Sequence, residues 1–323
     1  MQELHRLFKG FAASSPAPRG ADLMAFFEHV EKRSEGFMRP AFESLLEVLE
    51  LPGNHRLAEA GKVIAELIDS KTEENYGGHG NSYHNRNHMF EVPTAMTAIL
   101  KIHEERGYEP KLDTEDKLIM LVAALSHDLG HNGTGKDRVP LLTEQKSIEL
   151  AKPVFRAFYT DDAEFEKAFA KIEAIITATD IHGGAQSPAK FFSDYAKYQR
   201  GELAAAPVPR LPALDKFMPL LESDPKLAQM CVMMQDADLI PSIGLTPEWA
   251  ERQEARLSHE FPSGPHTDEL KALESAIRFY ENLADLKSSA GREFTANFEA
   301  IKAYVLNQYL DIAPINEYKM SGL

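Results

Sequence analysis

The chain has 323 residues, with 50 acidic against 35 basic side chains and a formal charge of -15 at pH 7. That balance disfavours a long nucleic acid as partner, because phosphate contacts need clustered cations. A composition 43% hydrophobic and 26% charged excludes disorder throughout, and a single cysteine, Cys231, excludes an intrachain disulfide, a zinc ribbon and a redox CxxC pair.

Residues 1–20, which include SSPAPRG, read as a loosely held arm, and residues 21–323 as a single helical domain. The start lacks an apolar h-region and no run reaches the ~18 apolar residues of a membrane span, so a cytoplasmic protein is expected. Strand signals are scarce and helical periodicity is common, which predicts an all-α fold. A helix is expected over Ser82 to Leu100, with His84 and His88 near its start and a kink at Pro93. In Asp113 to Asp128, Asp113 caps an acidic first turn, Leu118, Leu121, Val122 and Leu125 share a face, and Gly130 permits a stop. In Asp161 to Asp180 the apolar face is Phe165, Phe169, Ile172 and Ile176 behind an Asp161/Glu164 cap. In Ser223 to Asp238, Pro225 suits a first turn, and Leu227, Cys231 and Met234 line one side. Breakers separate these helices, yet none is long or polar enough to be an interdomain linker, and no repeat of 20 to 50 residues is present.

Polar groups continue several of these apolar faces. Asp238 lies one helical turn beyond Met234, Asp180 stands in the same relation to Ile176, and His127-Asp128 follows Ala124 and Leu125. A bare carboxylate in such a place would shift its pKa or cost several kcal/mol, so it needs a cation. The spacing of His84 to His88, repeated in His127 to His131, would set both imidazoles of each pair on one helix face. Imidazole mixed with carboxylate suits zinc, iron, manganese or magnesium rather than copper thiolate chemistry.

The local sequences SYHNRNHMFEV, LSHDLGHNGTG and MMQDADLIPS, in that order and spacing, resemble the HD-domain metal-dependent phosphohydrolases. Within them the chain is most similar to the catalytic domain of class I 3',5'-cyclic nucleotide phosphodiesterases: Tyr83-His84-Asn85 with His88 matches YHNxxH, His127 to Gly133 matches HDxxHxG, Thr179-Asp180-Ile181 looks like the TDM segment and Ala237-Asp238-Leu239 like the ADL segment. Trp249 and Glu260-Phe261 echo the W and EF that follow.

The resemblance implies a compact multi-helix domain with a dinuclear metal site at the bundle centre. One ion, usually Zn2+, would bind His88, His127, Asp128 and Asp238; a second, usually Mg2+ or Mn2+, would share Asp128, with iron an alternative. It further implies that a metal-bridging hydroxide attacks the phosphorus of a cyclic nucleotide such as cAMP or cGMP, with Asp128 catalytic as the shared ligand and His84 protonating the 3' oxygen. His131, Glu144 and Asp180 would hold metal waters or ligands.

Departures fall on substrate recognition. Lys136 stands where the family has an Asn, Asn132 replaces a proline, Ile240-Pro241-Ser242 replaces SNP, Gln235 replaces a histidine and Glu91 an aspartate. The family's purine-clamping Gln has no evident counterpart. Tyr83, Lys136, Asn297 and Phe298 are the candidate substrate contacts, and Lys136 with Arg138 could meet an extra phosphate or carboxylate. Two alternatives follow: the same chemistry on a nucleoside monophosphate, guanosine polyphosphate or other small phosphoester, and a di-iron oxygenase on the related scaffold. A homodimer is compatible with the sequence, and the remaining histidines read as structural, with His79 and His182 in loops that could rim the site.

Overall fold

The computed structural model describes residues 2–32, 36–70, 81–131, 139–182, 184–260, 269–282 and 284–312. Among them the chain forms fourteen α-helices, joined by turns and short 3-10 segments, with no strand. In chain order these are α1 Gln2–Phe8, α2 Pro16–Glu31, α3 Met38–Val48, α4 Arg56–Ser70, α5 His88–Glu105, α6 Thr114–Ser126 and α7 Leu142–Arg156. They continue as α8 Asp162–Thr177, α9 Pro188–Gln199, α10 Met218–Ser223, α11 Leu227–Ile243, α12 Pro247–Glu260, α13 Glu269–Asn282 and α14 Thr295–Ile312. No helix of the described residues is long and apolar enough to cross a membrane.

The centre of the bundle is α11, which packs against α5, α9, α8, α6 and α12. Its residues from Leu227 to Ala237 are all buried, as expected of a helix that is apolar nearly all round. Pro225 precedes this helix rather than opening it, while the Leu227, Cys231 and Met234 face enters the core as the periodicity predicts. The caps of α6 and α8 follow local chemistry. Asp113 accepts from the Asp116 N–H at 2.9 Å while Asp116 accepts from the Asp113 N–H at 3.1 Å, and Asp161 accepts from the Glu164 N–H at 2.8 Å.

Two expectations are corrected. Residues 1–20 are not a loose arm over their described part: Leu4, Phe8, Phe11 and Ala12 are buried in the core. Arg19, 1% exposed, reaches Glu293 at 2.7 Å, and the Pro16 carbonyl accepts from Asn297 at 3.0 Å. Composition suggested an arm because SSPAPRG is polar and proline-bearing. Ser15 and Pro16 in fact start α2, where a proline costs nothing because the first N–H groups have no helical partner.

The second correction concerns the histidine pairs. Helix α5 begins at His88, not at Ser82, because the Asn85 side chain accepts from the Asn87 N–H at 2.8 Å and donates to the Ser82 carbonyl at 2.8 Å, closing a turn that competes with helix. Helix α6 likewise ends at Ser126, with His127 as its cap and His131 on the following turn. Neither pair shares a helix face. The two turns face each other instead.

Candidate metal centre

Three elements deliver the four expected ligands. His88 opens α5, His127 and Asp128 close α6, and Asp238 sits within α11. His88 Nε2 lies 3.5 Å from Asp128 Oδ2 and 3.4 Å from Asp238 Oδ1, and His127 Nε2 lies 3.3 Å from each of the same oxygens. Two donors bound at about 2.1 Å to one ion are about 3.0 Å apart at a right angle and about 3.4 Å apart at the tetrahedral angle. The imidazole–carboxylate separations are those of donors that share an ion, and His88, His127 and Asp128 form a group that could hold one, with Asp238 beside it.

The donor atoms are also oriented for it. His127 Nδ1 donates to the Ala124 carbonyl at 2.9 Å, which leaves Nε2 as the nitrogen facing the cluster, and that buried Nε2 makes no hydrogen bond among the described residues. His88 turns Nδ1 toward Glu91, 3.9 Å away and itself 2% exposed, so a carboxylate backs the imidazole as it does behind many metal-bound histidines. Glu91 is in turn fixed by Gln253 at 3.3 Å.

The electrostatics show a demand for positive charge. Burial pulls the His127 imidazole down, but Asp128 and Asp238 outweigh it and push it up to about 10. His88 moves the same way: burial opposes, and Tyr83 with the carboxylates of Asp128, Asp238 and Glu91 carries it well above the usual imidazole range. Burial raises the Asp128 and Asp238 carboxyls, yet the two imidazoles hold both well below the usual carboxylate range. A divalent cation placed between them would meet the same negative field.

Beside this cluster a second group forms from the facing turns. The His84 and His131 rings stack with centroids 3.6 Å apart, and His84 Nε2 lies 4.0 Å from Asp128 Oδ2. Glu260, at the end of α12, accepts from the Tyr83 N–H at 2.8 Å and the His84 N–H at 2.9 Å, and its Oε1 holds His84 Nδ1 at 2.5 Å. Burial, and then the charge of His84, brings the His131 imidazole down to about 3. The Tyr83 hydroxyl pairs with that of Ser242, and burial pushes its phenol up to about 12.

Both groups open into a cavity of about 410 Å³. Glu144, in the first turn of α7, lines it with a carboxyl pushed up to about 8 by burial and by Asp180. Asp180, expected on the α8 face, lies past the end of that helix, where Oδ2 accepts from the Leu141 N–H at 2.7 Å and Oδ1 from the His182 N–H at 2.7 Å. Leu141 has φ 68°, a strained conformation for leucine that this buried carboxylate helps to hold. His182 borders the cavity, whereas Lys136, Arg138, Asn132 and His79 lie outside the described residues.

Asn297 and Phe298, expected as substrate contacts, do not line this cavity. Asn297 Nδ2 is spent on the carbonyls of Pro16 and Gly244, and Phe298 packs on the Tyr280 ring at 5.9 Å. The cavity is also lined by the apolar side chains of Leu239, Ile243, Phe279 and Tyr280, together with Gln235, Glu254 and Lys287. Glu260 appeared in the sequence only as an echo of a motif, and Lys287 not at all. Nothing local marks either, since both act on segments far away in the chain.

The family model described as 3'5'-cyclic nucleotide phosphodiesterase matches residues 83–137, the stretch that carries both histidine turns. The fold is similar to that of the phosphodiesterase domain of the RhoPDE fusion protein from the choanoflagellate Salpingoeca rosetta, at 18% identity and TM-score 0.59, over 87% of this chain and 93% of that one. The fold is phosphodiesterase-like. No curated protein sequence matches the chain. Within this phosphodiesterase-like fold, the His/Asp cluster lies at the centre of the bundle, where the central helix α11 meets α5 and α6.

Proposed function

We propose that the chain is a metal-dependent phosphodiesterase that opens the 3' ester of a cyclic nucleotide, cAMP or cGMP. The observation that carries this reading is that two buried imidazole nitrogens each lie 3.3–3.5 Å from an oxygen of Asp128 and from one of Asp238, next to a histidine that is not one of them. His88, His127, Asp128 and Asp238 would hold the first ion, Zn2+ by donor type, and Asp128 would share a second, Mg2+ or Mn2+. When bound, such ions supply Lewis acidity toward the phosphoryl oxygens and lower the pKa of water.

The chain's own residues account for the proton on the leaving group. Glu260 accepts the Nδ1 proton of His84, so the other nitrogen, Nε2, points toward Asp128 and the reacting centre. A proton on Nε2 passes to the 3' oxygen as the ester bond breaks, and Glu260 stabilises the imidazolium before transfer. Glu144, with its carboxyl raised, and Asp180 line the same cavity and would position solvent there. Leu239, Ile243, Phe279 and Tyr280 offer an apolar slot for a planar base.

The test is direct. Protein purified with Zn2+ and Mn2+ or Mg2+ is incubated with cAMP and cGMP, products are resolved by chromatography, and bound metal is counted. Release of the 5'-nucleotide is expected; a metal-loaded sample that leaves both cyclic nucleotides intact overturns the reading.

A further inference from the structure

Lys287 is the only lysine or arginine among the described residues that line the cavity, and it makes no ion pair among them. Its backbone is gripped on both sides. Asp236, fully buried in α11, accepts from the Lys287 N–H at 2.9 Å and the Ser288 N–H at 2.7 Å, and the Lys287 carbonyl accepts from Arg292 at 2.7 Å. Gly291 permits this approach, because a Cβ there would lie 2.1 Å from Asp236 Oδ2. The lysine stem is therefore launched from a fixed point toward the cavity.

The neighbouring amides are each held by protein partners. Gln235 donates Nε2 to the Ala189 carbonyl at 3.0 Å and accepts at Oε1 from Ser193 at 2.8 Å, with Lys287 Nζ a further 3.4 Å donor to that oxygen. Gln253 donates to Glu91 at 3.3 Å and accepts from Arg256 at 3.2 Å. An ammonium has three N–H donors and no acceptor, and Gln235 occupies one of them. Lys287 thus presents donors, and only donors, at the edge of the apolar slot.

We propose that Lys287 reads the base edge and biases this site toward guanine over adenine. Guanine offers two acceptors, O6 and N7, to a cation at that edge, whereas adenine sets an N6 amino donor beside N7. The Lys287 ammonium can donate to both guanine acceptors but can only oppose the N6 amino group of adenine. The inference rests on the phosphodiesterase reading for the presence of a nucleotide, but base preference is measurable without turnover.

Dissociation constants of 5'-GMP and 5'-AMP are to be measured by calorimetry on the metal-loaded protein and on Lys287→Met and Lys287→Arg, beside hydrolysis of cGMP and cAMP. GMP is expected to bind roughly tenfold tighter than AMP in the native chain, a ratio lost in Lys287→Met and kept in Lys287→Arg. Equal binding of the two nucleotides by the native chain, no measurable binding of either, or an equal loss for both in Lys287→Met, which would indicate a phosphate contact, overturns the proposal. Base discrimination in binding without hydrolysis overturns the phosphodiesterase reading and leaves Lys287 in its role. Hydrolysis of both cyclic nucleotides with no Lys287-dependent ratio does the reverse.

Discussion

The two ends of the cavity are built on different principles. At the histidine end, four candidate ligands come from the start of α5, the end of α6 and the central helix α11, each imidazole lies within 3.5 Å of both carboxylates, and the imidazoles are backed by Glu91 and the Ala124 carbonyl. Away from them the lining is largely apolar and borrowed from α11, α12, α13 and the segment around Lys287, whose ammonium is its one basic group among the described residues. Charge density at one end and shape at the other is what a phosphoester joined to a planar base requires. Under the proposed function, catalysis belongs to the first end and discrimination to the second.

If the ends divide the work in this way, substitutions should separate kcat from KM by location. The largest effect belongs to Asp238→Ala, which removes one oxygen of the ligand set and leaves His88 and His127 facing a single carboxylate. Metal content and turnover should fall together, kcat/KM by about a thousandfold or more, as losing several kcal/mol of charge stabilisation implies. Metal analysis beside initial rates checks it; full turnover in a metal-depleted Asp238→Ala protein would break the division. Next, His84→Ala should retain its metal and lose roughly 10²- to 10⁴-fold in kcat, the usual worth of a positioned general acid. Unchanged kcat would remove His84 from that role.

Glu260→Gln probes how the histidine end is held. It keeps the shape but weakens the hold on Nδ1 of His84 and the two backbone N–H bonds, so a fall of about 10- to 100-fold in kcat with little change in KM is expected. At the far end, Phe279→Ala should raise KM by roughly tenfold and spare kcat, since it removes a face against which a base can lie. Steady-state kinetics on both variants give the comparison, and a Phe279→Ala protein that loses kcat instead would show that the two ends are not separable.

The same contrast explains what could be read from the sequence. The histidine end was legible because each candidate ligand sits next to a strong local signal: His88 at the start of an apolar run, His127-Asp128 at the end of one, Asp238 one turn past Met234. The turn at Asn85 was missed because a side chain competing for backbone N–H groups looks, in sequence, like one more helical residue. Glu260 was visible only as an echo, and Lys287 was silent, because each does its work on residues brought close by tertiary packing alone. Glu260 acts on residues some 176 positions away, and Asp236 holds a backbone 51 positions away. Asn297 and Phe298 misled for the complementary reason: a polar residue beside an aromatic is as good a core tie as a ligand clamp.

Glu144 gives the smallest effect and the finest test of how the histidine end is balanced. Burial, and then Asp180, pushes its carboxyl up to about 8 from an ordinary value of 4.5, so the folded chain holds this proton more tightly than the unfolded chain does. Stability linked to that proton is fully present below about pH 4.5, and it declines as pH rises toward about 8, because the folded chain must then either keep the proton or bury a charge. Glu144→Gln is neutral throughout and should escape the decline. In metal-free protein the melting temperature of the variant should therefore exceed the native value by a growing margin between pH 5 and pH 8, then hold level. Adding Mn2+ should shrink the margin, since a cation beside Asp128 offsets the negative field that raises this carboxyl. A margin that is flat with pH, or one that widens with metal, would mean that Glu144 is solvated and lies outside the electrostatics of the centre.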